Sequence, residues 1–131
     1  MRAPPAGRRW PRGRLKLPVN GEEIAVARVP HLRCPRCGET VLRADDARQL
    51  FQQAQEAYRR RHRLLAPHEI RDLREQLGLT PGRLARLLHL RGDAVLRWES
   101  ARSVQSAAID ALLRVVRDVP GTVDYLRSRA A

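Results

Sequence analysis

No run of apolar residues in the sequence approaches the roughly 18 needed to cross a bilayer, which excludes a transmembrane helix. The first 16 residues, MRAPPAGRRWPRGRLK, have no acidic residue and no apolar core, so they do not read as a secretory signal. Cysteine is limited to Cys34 and Cys37, too few for a disulfide scaffold and in keeping with a reducing, cytoplasmic setting. Lysine is almost absent: 25 of the 26 basic residues are Arg, and the exception is Lys16. No Ser/His/Asp set and no glycine loop able to cradle a phosphate is present, and the four histidines are scattered. The chain therefore does not read as an enzyme.

What is present is positive charge, +12 overall with a pI near 11.5. Such an excess suggests a polyanionic partner, although the dominance of Arg also reflects codon composition. Residues 1–14 hold three prolines and five arginines without periodicity, and they read as a disordered basic arm. Two alternating runs then flank Asn20-Gly21, the favoured dipeptide of a two-residue hairpin, with Ile24, Val26 and Val29 toward one face. After the C-x-x-C, "ETVL" reads as a third strand, giving a three-stranded β module over residues 15–44. A linking helix over 45–65 follows, with Asp45 and Asp46 at its start and a basic RRRHR end. Residues 66–131 read as five helices, marked by Pro67, Gly78, Thr80-Pro81, Ser106 and Pro120-Gly121. The expected class is mainly α.

Residues 79–102, LTPGRLARLLHLRGDAVLRWESAR, carry the most information. Leu84, Leu87 and Leu88 give one helix a buried face, and Ala85 suits a steep helix crossing. His89-Leu90-Arg91 make a short turn, after which Val95 and Trp98 face inward while Gly92, Asp93, Leu96 and Arg97 face out. Two helices, a tight turn and a polar outer face describe a helix-turn-helix. The stretch resembles the Cro and lambda-repressor-like (XRE-type) DNA-binding domains without a gap, through Leu79, Thr80, Leu84, Ala85, Leu87, Leu88, Arg97, Trp98, Glu99 and Arg102. It departs from them at His89 and Ala101, where glycine is usual, and at Pro81, where a phosphate-holding Gln is usual.

A narrower resemblance covers nearly the whole chain. Cys34, Cys37, Gly38, Glu39, Val41 and Leu42, with the spacing to Thr80, resemble the MqsA (YgiT-type) antitoxins, in which a zinc-binding β module precedes a Cro-like domain that binds its operator as a dimer. The resemblance implies an antitoxin and autorepressor of a type II toxin–antitoxin system, with its toxin held by the N-terminal half. It also implies an Arg that reads bases, at Arg97, and a partner position that is Asn in the family and Asp93 here. Thr80, Arg83, Arg91 and Arg102 are expected on phosphates, with Asp93 and Ala94 beside Arg97 on the DNA face. Double-stranded DNA, a toxin and a second copy of the chain are the expected partners.

The metal is left open at this point. A tetrahedral zinc site needs four donors, and the family's first C-x-x-C would fall where this chain reads MRAPPAGRRW. Cys34 and Cys37 are half a site; His31 makes H-x2-C-x2-C, and His62, an acidic residue or another chain could add a fourth ligand. The alternative is a metal-free remnant whose cysteines pack as small apolar groups. Two other functions compete with the antitoxin: a stand-alone XRE-type regulator without a toxin, and a small basic RNA-binding protein.

Overall fold

The structure, a computed structural model, describes residues 10–130. Most of the expected basic arm, residues 1–9, lies outside them. The rest of that stretch is ordered into the fold: Trp10 is buried and a strand begins at Arg12. An indole that finds apolar cover is worth more than the freedom of a few residues, so the arm ends earlier than its composition suggests.

The chain forms two compact units, one ending at Tyr58 and the other beginning at Arg59. In the first, β1 (Arg12–Val19) and β2 (Glu22–Pro30) form an antiparallel hairpin. Asn20 and Gly21 both take positive φ, 49° and 81°, as the tight turn demands. The ladder is regular from Val19↔Glu22 to Leu15↔Val26 and then slips, so that Gly13 pairs with Val29. Arg14 thus faces both Ala27 and Arg28, a β-bulge with Arg28 at φ 59°. The extra residue returns Val29 to the face that already holds Ile24 and Val26, and all three are buried.

β3 (Leu32–Arg33) and β4 (Thr40–Val41) pair with each other and form a second two-stranded sheet. The expected three-stranded module is therefore two separate antiparallel sheets. The cause is local. Within the knuckle, Cys34 N donates to Glu39 O at 2.8 Å and Gly38 N donates to Cys34 O at 2.9 Å, which closes the loop and brings Arg33 opposite Thr40. The strand after the knuckle is committed to the strand before it. Trp10 lies under the Arg43 guanidinium, 4.1 Å from the ring centroid, a cation–π contact at the end of this segment.

Helix α1 (Ala44–His62) has Asp45 and Asp46 in its first turn and Arg59 to His62 in its last, each sign at the end its dipole favours. Leu50, Ala54 and Tyr58 form its buried stripe, while Phe51 stays 41% exposed. The second unit continues with α2 (Pro67–Gln76), α3 (Pro81–Leu87), α4 (Ala94–Glu99), α5 (Ala107–Asp118) and α6 (Thr122–Ala130). The described residues thus hold six helices and two small antiparallel sheets. Thr80 caps α3 by accepting from Arg83 N at 3.2 Å, and Ser106 caps α5 by accepting from Ile109 N at 3.2 Å. The core of this unit is apolar and continuous: Leu65, Ile70, Leu73, Leu84, Ala85, Val95, Trp98, Leu113 and Val116, with Leu87 and Leu88 at its edge. No described helix is long and apolar enough to cross a membrane.

Candidate nucleic-acid interface

Four helices end by the same device. At the ends of α1, α2, α3 and α4 the residue after the cap takes positive φ: Arg63 at 55°, Gly78 at 68°, His89 at 57° and Ala101 at 59°. In α3 the two hydrogen bonds of a Schellman motif are made by Leu90 N to Ala85 O, 2.9 Å, and His89 N to Arg86 O, 3.1 Å. In α4 they are Arg102 N to Arg97 O, 2.9 Å, and Ala101 N to Trp98 O, 3.2 Å. The two positions where the sequence lacks the usual glycine are therefore the left-handed positions, and they are held by His89 and Ala101.

The turn reverses the chain so that α4 packs on α3. Ala85, fully buried, leaves room for this approach. On α4, Val95 and Trp98 point into the core, whereas Leu96, 54% exposed, and Arg97 face solvent. Thr80, Arg83, Arg91 and Arg102 are exposed as well, and Asp93 and Ala94 are half-buried. Asp93 stands at the N-cap of α4 but makes no capping hydrogen bond with its side chain. Its carboxylate pairs with Arg91 instead, Nε to Oδ1 at 3.4 Å.

Two polar links hold this arrangement, and neither was anticipated from the sequence. Arg74 of α2 grips Glu99 of α4 with two hydrogen bonds, Nε to Oε2 at 2.7 Å and Nη2 to Oε1 at 2.8 Å. Its third donor, Nη1, reaches Leu79 O at 2.9 Å. The Glu99 carboxylate raises the Arg74 pKa above its ordinary value, mainly through those hydrogen bonds. Glu99, third member of the Arg-Trp-Glu triplet, thus serves the fold: it fixes the α4 axis. The second link centres on Asp110 of α5, which is buried. Its Oδ1 accepts from Leu65 N at 2.7 Å and from Gln105 Nε2 at 3.1 Å, and its Oδ2 accepts from Arg114 Nε at 2.8 Å. Gln105 also donates to Leu65 O at 2.9 Å, so Asp110 and Gln105 together hold both backbone groups of Leu65, just ahead of α2. A Glu closing a signature triplet was the only sequence hint of the first link; the second left none.

Cys34 and Cys37 come together at the knuckle. The backbone N–H groups of Cys37 and Arg36, then the Cys37 side chain, hydrogen-bond the Cys34 sulfur and lower its pKa from the ordinary thiol value. His31 turns Nδ1 to Val29 O at 2.8 Å. Among the described residues no group of three His, Cys, Asp or Glu side chains gathers as a metal site would require. Residues 1–9 contain none of these residue types. Two thiols do not fit the four-donor requirement of a structural zinc, so the family's zinc module is not reproduced by the residues present.

Comparison with known proteins identifies the chain. A family model described as the antitoxin component of a bacterial toxin–antitoxin system, MqsA, matches residues 13–127. The chain belongs to the MqsA antitoxin family. It is a non-enzymatic regulatory protein accordingly. Antitoxin HigA-2 of Vibrio cholerae serotype O1 is similar to it, with 36% identity over 62 residues, covering 47% of this chain. The chain spans 60% of the length of that curated relative.

Proposed function

We propose that the chain is a DNA-binding antitoxin that represses its own operon as a dimer and neutralises a toxin through its N-terminal half. The observation that carries the DNA reading is the outward face of α4. It is a short helix whose inner residues, Val95 and Trp98, are locked in the core, leaving Arg97 and Leu96 free at the surface. With α3 and the turn at His89 it has the makings of a Cro-like reading head, over residues 66–131. In this reading α4 enters the major groove and Arg97 bonds guanine O6 and N7. Thr80, Arg83, Arg91 and Arg102 touch phosphates, which set position. Asp93, paired with Arg91, stands where Ala94 and the groove floor meet.

Dimerisation follows from the palindromes such heads read, because two copies must sit one helical turn apart. The surface best suited to a second copy is the apolar face of α5 and α6. Val115, Val119 and Tyr125 are 43%, 51% and 63% exposed, and Val115 and Tyr125 line a hollow of about 420 Å³ together with Leu112 and Leu126.

The test is Arg97→Ala on a duplex selected from a random pool by the wild-type protein. The expected loss is about 1–3 kcal/mol of affinity together with relaxed preference at one base pair per half-site. An Arg97→Ala protein that keeps its base preference removes α4 from the groove.

A further inference from the structure

A hollow of about 350 Å³ opens beside α3, lined by Leu79, Arg83, Arg86, Leu87 and Arg127. Three arginines from two helices line it, together with two leucines. No carboxylate lines it: Asp124, one turn before Arg127 on α6, lines a different hollow with Leu77 and Val119. Elsewhere in this unit arginines find acids. Arg74 holds Glu99, Arg114 holds Asp110 and Arg117 holds Asp118. Among the described residues, no ion pair is formed by Arg83, Arg86 or Arg127. Three like charges gathered without a counter-charge repel one another, and a bound anion relieves that repulsion.

The position of the hollow says which anion. Gly82 faces the start of α4 on one side of α3, through its approach to Gly92 O. Arg83 and Leu87 lie roughly 160° around α3 from the buried Ala85, and Arg86 roughly 100°, so the residues lining the hollow turn away from the packed side of α3. The hollow therefore lies across α3 from the helix that reads bases, where a backbone running past the groove would lie. Guanidinium forks match phosphate oxygens in pairs.

We propose that this hollow holds a DNA backbone phosphate outside the base pairs read by α4, so that Arg86 and Arg127 extend the interface beyond the helix-turn-helix. The inference rests on the DNA reading above. It adds α6 to the DNA-binding surface and makes the flank of the operator, irrespective of its sequence, part of what is bound.

The experiment compares two duplexes of the selected operator, one trimmed to the palindrome and one carrying several more base pairs at each end. Full-length wild type, Arg86→Ala, Arg127→Ala, Arg97→Ala and Arg117→Ala are titrated over a salt series. Wild type is expected to bind the longer duplex more tightly. Arg127→Ala and Arg86→Ala are each expected to lose that advantage and to lower the slope of log K against log salt by about 0.9, with base preference unchanged. Arg117→Ala, which removes an equal charge elsewhere, keeps both the advantage and the slope. If Arg86→Ala and Arg127→Ala match wild type on both duplexes while Arg97→Ala loses affinity, the hollow is no phosphate site and the DNA reading stands. If wild type selects no duplex at all, the DNA reading falls and this inference with it.

Discussion

A non-glycine residue in the left-handed region carries strain that glycine relieves, and His89 and Ala101 both bear it at helix ends. His89→Gly and Ala101→Gly are each expected to stabilise the folded protein by about 0.5–1 kcal/mol, read from urea unfolding at constant m-value. Loss of stability in either variant would show that the side chain is needed where it stands. The need for positive φ at these two positions was legible, because each occupies the place of a family glycine. Arg63 and Arg28 were not, since nothing in their neighbourhood separates a strained arginine from the twenty or so others. The Cys34 thiol is a second residue-scale case. Its pKa is lowered in the folded state by N–H groups that exist only when the knuckle is closed. The thiolate is therefore present in the folded protein at pH values where the unfolded chain still holds a thiol. As pH rises, alkylation of Cys34 should climb earlier in native protein than in urea, with peptide mapping to tell it from Cys37. Coincident curves would mean that those N–H groups do not aim at the sulfur in solution.

At the scale of elements, caps and periodicity were enough to find α2 to α6, but not the polar bonds between them. Asp110 is one residue in an amphipathic helix as far as sequence goes; its partners Leu65 and Gln105 are 45 and 5 residues away. Only the packed chain brings a peptide N–H, an amide and a guanidinium to one carboxylate. Asp110→Ala leaves the buried Leu65 N–H and the Gln105 amide without that acceptor and should cost about 3 kcal/mol, measured by urea unfolding. Asp110→Asn keeps the shape and one oxygen, and should cost clearly less. Equal and small losses would mean that water replaces the carboxylate. The sheets teach the same lesson differently. Period-two patterning revealed the hairpin, yet it could not reveal that β4 would pair only with β3, because that choice is made by hydrogen bonds inside the knuckle.

For the whole molecule, the division at Tyr58 and Arg59 puts the knuckle and the α3–α4 pair in different units. Cys34→Ser with Cys37→Ser should therefore leave operator affinity within about twofold of wild type in titrations, a difference of under 0.5 kcal/mol. A large loss would show that the first unit is required for DNA binding. Assembly is tested by Val115→Asp with Val119→Asp, two exposed positions whose charge the monomer tolerates. Sedimentation should show a monomer with weakened operator binding. A dimer that survives these changes would move the interface into residues 10–58. The antitoxin class was legible because the knuckle, the spacing to Thr80 and the Arg-Trp-Glu triplet stand together in one chain. The metal was not legible in the same way: His31 and His62 were open as further donors in the sequence, and only the structure shows that no third donor joins Cys34 and Cys37 among the described residues.

The left-handed helix ends also bear on how long the protein lasts in a cell. A helix whose last turn is strained frays more readily, and fraying offers extended backbone to proteases. Three of the four Schellman ends lack glycine, at Arg63, His89 and Ala101, so the chain carries its own vulnerability to turnover at the joints between helices. A variant combining His89→Gly and Ala101→Gly should persist longer than wild type after translation is stopped, as a pulse–chase would record. For an antitoxin, those two backbone angles would then be a clock.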